Sequence, residues 1–112
     1  MLELNHQIDL CEMDDLVVGQ MRRFEVGRYG LAVVRIGERI YAIEDRCSHA
    51  NYRLSEGQLY ADRAEVECPK HGSTFSLESG EALTLPATRP VPVYRASVVD
   101  GKVVVDLERN EQ

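Results

Sequence analysis

The chain alternates short apolar runs with tight-turn residues, a pattern typical of β-strands joined by hairpins. Within residues 29–36, Ala32 and Val34 fall on one face of the predicted strand. Leu31 and Val33 fall on the opposite face. Because both faces are apolar, this strand is predicted to occupy a central position in its sheet.

The same criterion predicts several further short strands. All predicted strands together cover residues 4–10, 21–26, 29–36, 39–44, 57–60, 64–68, 73–77, 91–99 and 102–107. Two turns, at 27–28 and 37–38, place glycine first, which favours type II′ hairpins. Asp-Gly at 100–101 separates two β-branched runs and is a strong hairpin signal.

Two segments are not predicted as strands. Residues 12–20 form a predicted connecting loop with room for one helical turn. Residues 83–90 are predicted to be irregular, since Pro86 and Pro90 remove backbone donors. Without a long helical period, repeat or linker, the pattern predicts an all-β antiparallel sandwich or barrel. We expect a single domain over residues 1–112.

Composition narrows the range of partners and compartments. Nineteen Asp and Glu against thirteen Lys and Arg give a net charge of −6, which argues against nucleic acid and anionic membrane surfaces. The apolar runs are too short to span a membrane, and residues 1–6 lack the features of a secretory signal. Of three cysteines, Cys11 has no partner for an internal disulfide, so we expect a reducing, cytoplasmic location.

Candidate chemistry is concentrated in two short motifs. The first is Cys47-Ser48-His49, and the second is Cys68-Pro69-Lys70-His71. Two thiolates and two imidazoles suit zinc or iron–sulfur chemistry. Zinc fingers usually separate paired ligands by two to four residues, so the one-residue gap in the first motif favours another arrangement. In a mixed-ligand [2Fe–2S] cluster, each loop sends one Cys to one iron and one His to the other.

At these motifs the chain resembles the Rieske iron–sulfur family. Residues 42–49 look like the family's strand entering its first cluster loop, and 54–57 look like the segment that follows. Residues 68–75 look like the second loop and the next strand. The resemblance implies a Rieske-like β-sandwich or barrel whose cluster-binding subdomain covers about residues 45–76. It implies one [2Fe–2S] cluster, and its expected ligands are Cys47, His49, Cys68 and His71.

The resemblance is strongest to the small ferredoxin of multicomponent non-haem iron dioxygenases. It implies a one-electron carrier, not itself an enzyme, between an NADH-dependent flavin reductase and a terminal oxygenase that hydroxylates aromatic rings. The sequence shows no second metal site for oxygen activation. Two alternatives stay open here: the small Rieske subunit of an assimilatory nitrite reductase, and a structural zinc module that mediates protein contacts.

Three positions differ from the family members that work at high potential. In those members two further cysteines form a disulfide that ties the two loops together. In this chain the corresponding positions are Tyr52 and Lys70. Those members also carry a Tyr that donates to a cysteine sulfur where Phe75 stands, while Ser73 is kept as a candidate sulfur donor. With fewer hydrogen-bond donors to the cluster sulfurs, the reduced state is less stable. We therefore expect the reduction potential of this protein to lie near the bottom of the family's range.

The other polar residues suggest no competing active site. His6 is interpreted as a solvated strand residue, and Cys11 as a small, partly buried apolar residue. Glu44 and Asp45 stand at the predicted end of a strand, where we expect solvated charges rather than a pair of catalytic carboxylates.

Overall fold

The computed structural model describes residues 7–109, and this part of the chain contains β-strands and two short 3-10 turns but no α-helix. The strands are β1 (Gln7–Glu12), β2 (Met21–Val26), β3 (Tyr29–Ile36), β4 (Arg39–Glu44), β5 (Gln58–Tyr60), β6 (Glu65–Glu67), β7 (Thr74–Ser76), β8 (Val93–Val99) and β9 (Lys102–Arg109). The 3-10 turns are Met13–Asp15 and Leu54–Glu56. Within residues 7–109, no helix has the length and apolar content needed to cross a bilayer.

The all-β prediction is confirmed, and the bounds of β2, β3 and β4 match the predicted ones. Both Gly-first turns have positive φ at glycine, 60° at Gly27 and 63° at Gly37, as type II′ turns require. The predicted strand 64–68 begins one residue late, because Ala64 has φ 52° and belongs to the turn. The predicted first strand, 4–10, is described only from residue 7 and continues to residue 12.

Six strands form one antiparallel sheet in the order β1-β9-β8-β4-β3-β2, which curls into a nearly closed barrel. The two end strands face the same interior, where Cys11 of β1 and Phe24 of β2 pack against one core. Arg35 Nη1 on β3 donates to the carbonyl of Met13 at 3.1 Å. This bond links the inner strands to the turn after β1.

A second, three-stranded sheet, β5-β6-β7, is inserted between β4 and β8. Those two strands are neighbours in the barrel, with Ala42 opposite Tyr94 and Ile43 opposite Val93. The chain therefore leaves the barrel after β4 and returns beside the same strand. Residues 45–92 project from one place on the barrel, and both predicted ligand motifs lie in this excursion.

Strand β3 separates two cores, which confirms its predicted central position. Leu31 and Val33 pack inside the barrel, and Ala32 and Val34 pack against the inserted sheet. All four are fully buried. The core between the barrel and the inserted sheet also contains both cysteines of the predicted motifs. The two predicted ligand loops are therefore supported by packed strands.

Candidate metal centre

The first ligand loop, loop 1, spans residues 45–53 between β4 and the second 3-10 turn. The Cys47 N–H donates to the Tyr52 carbonyl at 2.9 Å and closes the loop on itself. The His49 N–H points at Cys47 Sγ at 3.4 Å. Both contacts hold the Cys47 side chain in place within loop 1.

The second ligand loop, loop 2, spans residues 68–73 between β6 and β7. It is closed by the Cys68 N–H donating to the Ser73 carbonyl at 2.7 Å and by the Gly72 N–H donating to the Cys68 carbonyl at 3.2 Å. Gly72 has φ 79°, a conformation in which residues with a Cβ are strained. This glycine lets the chain turn directly after His71.

The four predicted ligands form two pairs. Cys47 and Cys68 are buried, with 3% and 1% exposure, and the Cys47 thiol is close enough to raise the pKa of Cys68. His49 and His71 are both exposed, and their ring centroids are 5.5 Å apart. Among residues 7–109, no three His, Cys, Asp or Glu side chains come together as a group that could hold one metal ion. Two separate pairs of ligands are what a binuclear centre needs.

The Cys68 thiol experiences opposing influences. The pKa of this thiol is raised overall: burial raises it most, the Lys70 and His71 N–H groups lower it in part, and the neighbouring Cys47 thiol raises it further. The backbone donors act in the direction of the thiolate. A thiolate buried beside a second thiolate needs cationic compensation, which two ferric ions would supply. The donor set therefore fits a [2Fe–2S] cluster with thiolates inside and imidazoles outside.

The irregular segment 83–92 holds both loops in place of a covalent bridge. Ser48 Oγ of loop 1 donates to the Arg89 carbonyl at 2.6 Å, and the Ala87 N–H donates to Ser73 Oγ of loop 2 at 3.0 Å. The cysteines of residues 7–109 are all free, as expected without the extra Cys pair. The two positions of that pair are still adjacent, since Lys70 Nζ lies 5.4 Å from the centroid of the Tyr52 ring.

The interpretation of Asp45 as a solvated charge is wrong. Its side chain is fully buried and accepts three hydrogen bonds, from Arg23 Nη1 at 2.9 Å, Ser55 N at 2.7 Å and Ser55 Oγ at 2.6 Å. The bond to Asp45 raises the pKa of Arg23, so the cation stays charged. Sequence reasoning missed this contact because Arg23 lies 22 residues away on β2.

Other sequence interpretations have mixed outcomes. Cys11 is half-buried against the barrel core, as expected, and burial raises the pKa of its thiol. Ser73 is buried and accepts from Ala87, so its role as a sulfur donor stays a prediction. Phe75 is fully buried in the same core as both predicted ligand cysteines. The interpretation of His6 falls outside the described residues.

A family model described as the Rieske [2Fe–2S] domain matches residues 6–95. The chain belongs to the Rieske [2Fe–2S] domain family, and its cofactor is one Rieske-type cluster. This assignment excludes the structural zinc module left open by the sequence. Within the family the chain is a ferredoxin-type electron-transfer component, as relatives from two comparisons indicate.

The ferredoxin subunit of 3-phenylpropionate/cinnamic acid dioxygenase from Escherichia coli (strain K12) is 41% identical over 102 residues, covering 91% of this chain and 94% of the relative. The ferredoxin of carbazole 1,9a-dioxygenase from Nocardioides aromaticivorans IC177 is 33% identical with a TM-score of 0.86, covering 88% of this chain and 95% of that one. A chain in a complex of reduced oxygenase and oxidized ferredoxin in carbazole 1,9a-dioxygenase is 36% identical with a TM-score of 0.87, covering 97% and 100%.

Proposed function

We propose that this ferredoxin takes electrons one at a time from an NADH-dependent flavin reductase and passes them to a terminal non-haem iron dioxygenase. Cys47 and Cys68 hold one iron of its cluster, and His49 and His71 hold the other. The observation that carries the proposal is that the same two loops present a pair of exposed imidazoles and a pair of buried thiols. The proposed location is the cytoplasm, where thiols stay reduced.

The two pairs of side chains have different tasks. When bound, the cluster supplies a centre that accepts one electron, and neutral imidazoles in place of two thiolates make that electron easier to accept. Cys47 and Cys68 would anchor the centre in the core, where apolar side chains limit the access of water. His49 and His71 face solvent, so their ring edges offer a short path to a docked partner.

The proposed partners are supported by the relatives named above, which are ferredoxins of two dioxygenase systems. One solved relative is a complex of an oxygenase with its ferredoxin. These likenesses favour a dioxygenase over the nitrite reductase considered from sequence. The relatives serve enzymes with different substrates, so we assign substrate choice to the oxygenase and electron delivery to this chain.

Reconstitution tests this function. The holoprotein is mixed with NADH, a flavin-dependent ferredoxin reductase and a terminal aromatic-ring dioxygenase, and hydroxylated product is measured per NADH consumed. Product formation should require the ferredoxin, and the Cys11→Ser variant should replace the wild type fully. Reduction by the reductase followed by electron transfer to nitrite reductase, with no ring hydroxylation, would move the protein to the alternative pathway.

A low reduction potential is expected, near the bottom of the Rieske range of roughly −150 to +300 mV. Phe75 cannot donate to a sulfur, although it is buried in the same core as both predicted ligand cysteines. Phe75→Tyr should raise the potential by placing a hydroxyl donor there, because such a donor stabilises the reduced state. Protein-film voltammetry measures both values.

The matched control for this prediction is Phe24→Tyr, because Phe24 packs in the barrel core, whereas both predicted ligand cysteines belong to the other core. Its potential should equal that of the wild type. A wild-type reduction potential in the upper half of the Rieske range would contradict the proposal that this protein accepts electrons from NADH. Equal shifts in the two Tyr variants would contradict the role given to Phe75.

A further inference from the structure

A buried ionic cluster sits where loop 1 begins and ends. Asp45 is the residue at the start of the loop, and Ser55 lies in the 3-10 turn that follows it. Asp45 Oδ1 accepts from Ser55 N, and Asp45 Oδ2 accepts from both Ser55 Oγ and Arg23 Nη1. Both carboxylate oxygens are therefore used, and the contact brings together residues ten positions apart.

We propose that Asp45 is a positioning residue that, with Arg23 and Ser55, clamps both ends of loop 1 to the barrel and thereby fixes Cys47 and His49. We call these three residues the clamp. The inference rests on the proposed function only in taking Cys47 and His49 as ligands. The proposal gives a structural role to the Asp45 carboxylate, which is not itself one of the proposed ligands.

The barrel side of the clamp is built to receive a guanidinium. Arg23 lies on β2, and its Nη2 atom would be only 2.5 Å from a Cβ placed at Gly30. Glycine at that position leaves room for the Arg23 side chain to reach Asp45. The Asp45 N–H also donates to the Gly30 carbonyl at 2.9 Å. Gly30 on β3 therefore binds the backbone of Asp45 and lies against the side chain of Arg23.

Burial makes the clamp selective for one geometry. A fully buried carboxylate is costly unless a cation and hydrogen bonds compensate it. Each of the three donor atoms is directed at one particular oxygen of Asp45, so a displaced carboxylate would lose these bonds. Arg23 is itself only a quarter exposed and also contacts Glu25 at 3.3 Å. By contrast, the pair formed by Arg63 in the β5–β6 turn and Glu65 at the start of β6 is more exposed, at 51% and 22% for the two side chains. It joins neighbouring residues and closes no ligand loop.

The test compares Asp45→Asn with the matched control Glu65→Gln, each a carboxylate replaced by an amide of the same shape. Hydrogen exchange of the holoprotein is followed in residues 46–54 and in β8 and β9. In Asp45→Asn, exchange in 46–54 should accelerate at least tenfold while β8 and β9 stay within twofold of wild type. The visible absorbance in the presence of an iron chelator should also decay at least tenfold faster. Glu65→Gln should match wild type in both.

A spectroscopic readout separates positioning from general stabilisation. In the reduced holoprotein, Asp45→Asn should change the hyperfine couplings of one ligand nitrogen, that of His49, and leave those of His71 unchanged. If Asp45→Asn does not yield folded protein, Ser55→Ala removes one hydroxyl donor and should give the same changes at smaller size. Unchanged exchange in 46–54, or equal acceleration throughout the chain, would overturn the proposal. A wild type without nitrogen ligands would instead overturn the proposed function.

Discussion

Replacing any one of the four predicted ligands with alanine is expected to abolish cluster assembly. In the proposed site each iron would have only two protein ligands, so a single loss would leave it held by one side chain and open to water. Cys47, His49, Cys68 and His71 should behave alike, with essentially no bound iron or acid-labile sulfide. Iron and sulfide per chain, together with visible absorbance, measure the effect, and far-UV circular dichroism reports whether the strands remain.

The matched control for the ligand series is Cys11→Ser. Cys11 is a free thiol on β1 that packs against the barrel core. Cys47 and Cys68 belong to the other core, between the barrel and the inserted sheet. The Cys11→Ser variant should bind the same iron and sulfide as wild type. Loss of the chromophore at Cys11, or a full complement of iron in an alanine variant of the four, would show that the ligands are misassigned.

Gly57→Ala is expected to prevent cluster binding although Gly57 binds no metal. A Cβ at Gly57 would lie 1.8 Å from the Glu67 carbonyl oxygen and 3.2 Å from Pro69 Cδ, whereas carbon and oxygen normally approach to about 3.3 Å. Glu67 directly precedes Cys68, so relief of the clash moves loop 2 away from loop 1. Overpacking of this kind typically costs about 1–3 kcal/mol, and the displacement separates the two thiols.

Gly37→Ala provides the comparison for this variant. Gly37 has φ 63°, and no atom lies within 4 Å of a Cβ placed there. The substitution strains the β3–β4 hairpin by about 1 kcal/mol but leaves both loops in place. Iron content should therefore stay at the wild-type level in Gly37→Ala and fall at least tenfold in Gly57→Ala. Equal iron contents would mean that the loops tolerate separation at this contact.

Local sequence patterns predicted much of this fold and its candidate site. The alternation in β3 and the Gly-first turns depend on neighbouring residues, and the ligand motifs are three and four residues long. The order of strands was not predicted, because β4 pairs with β8 across the whole inserted excursion. The two-loop motif was visible because its residue types and spacings are unusual.

The contacts that support the loops could not be predicted from local patterns. Asp45 and Arg23 are 22 residues apart, and Ser48 and Arg89 are 41 residues apart. In the sequence, Asp45 next to a strand end is typical of a solvated charge. Folding brings Arg23 to Asp45 and buries the carboxylate. The interpretation of Asp45 as a solvated charge was wrong because this contact depends on the tertiary structure.

The central claim is that two imidazoles and two thiolates of this chain hold one [2Fe–2S] cluster. Pulsed electron paramagnetic resonance of the reduced wild-type protein tests it most directly, because it detects nitrogen nuclei bound to the iron. The account predicts couplings from two distinct nitrogen ligands and one reducing equivalent per two irons. A cluster without nitrogen coupling, or a colourless protein with stoichiometric zinc, would contradict it.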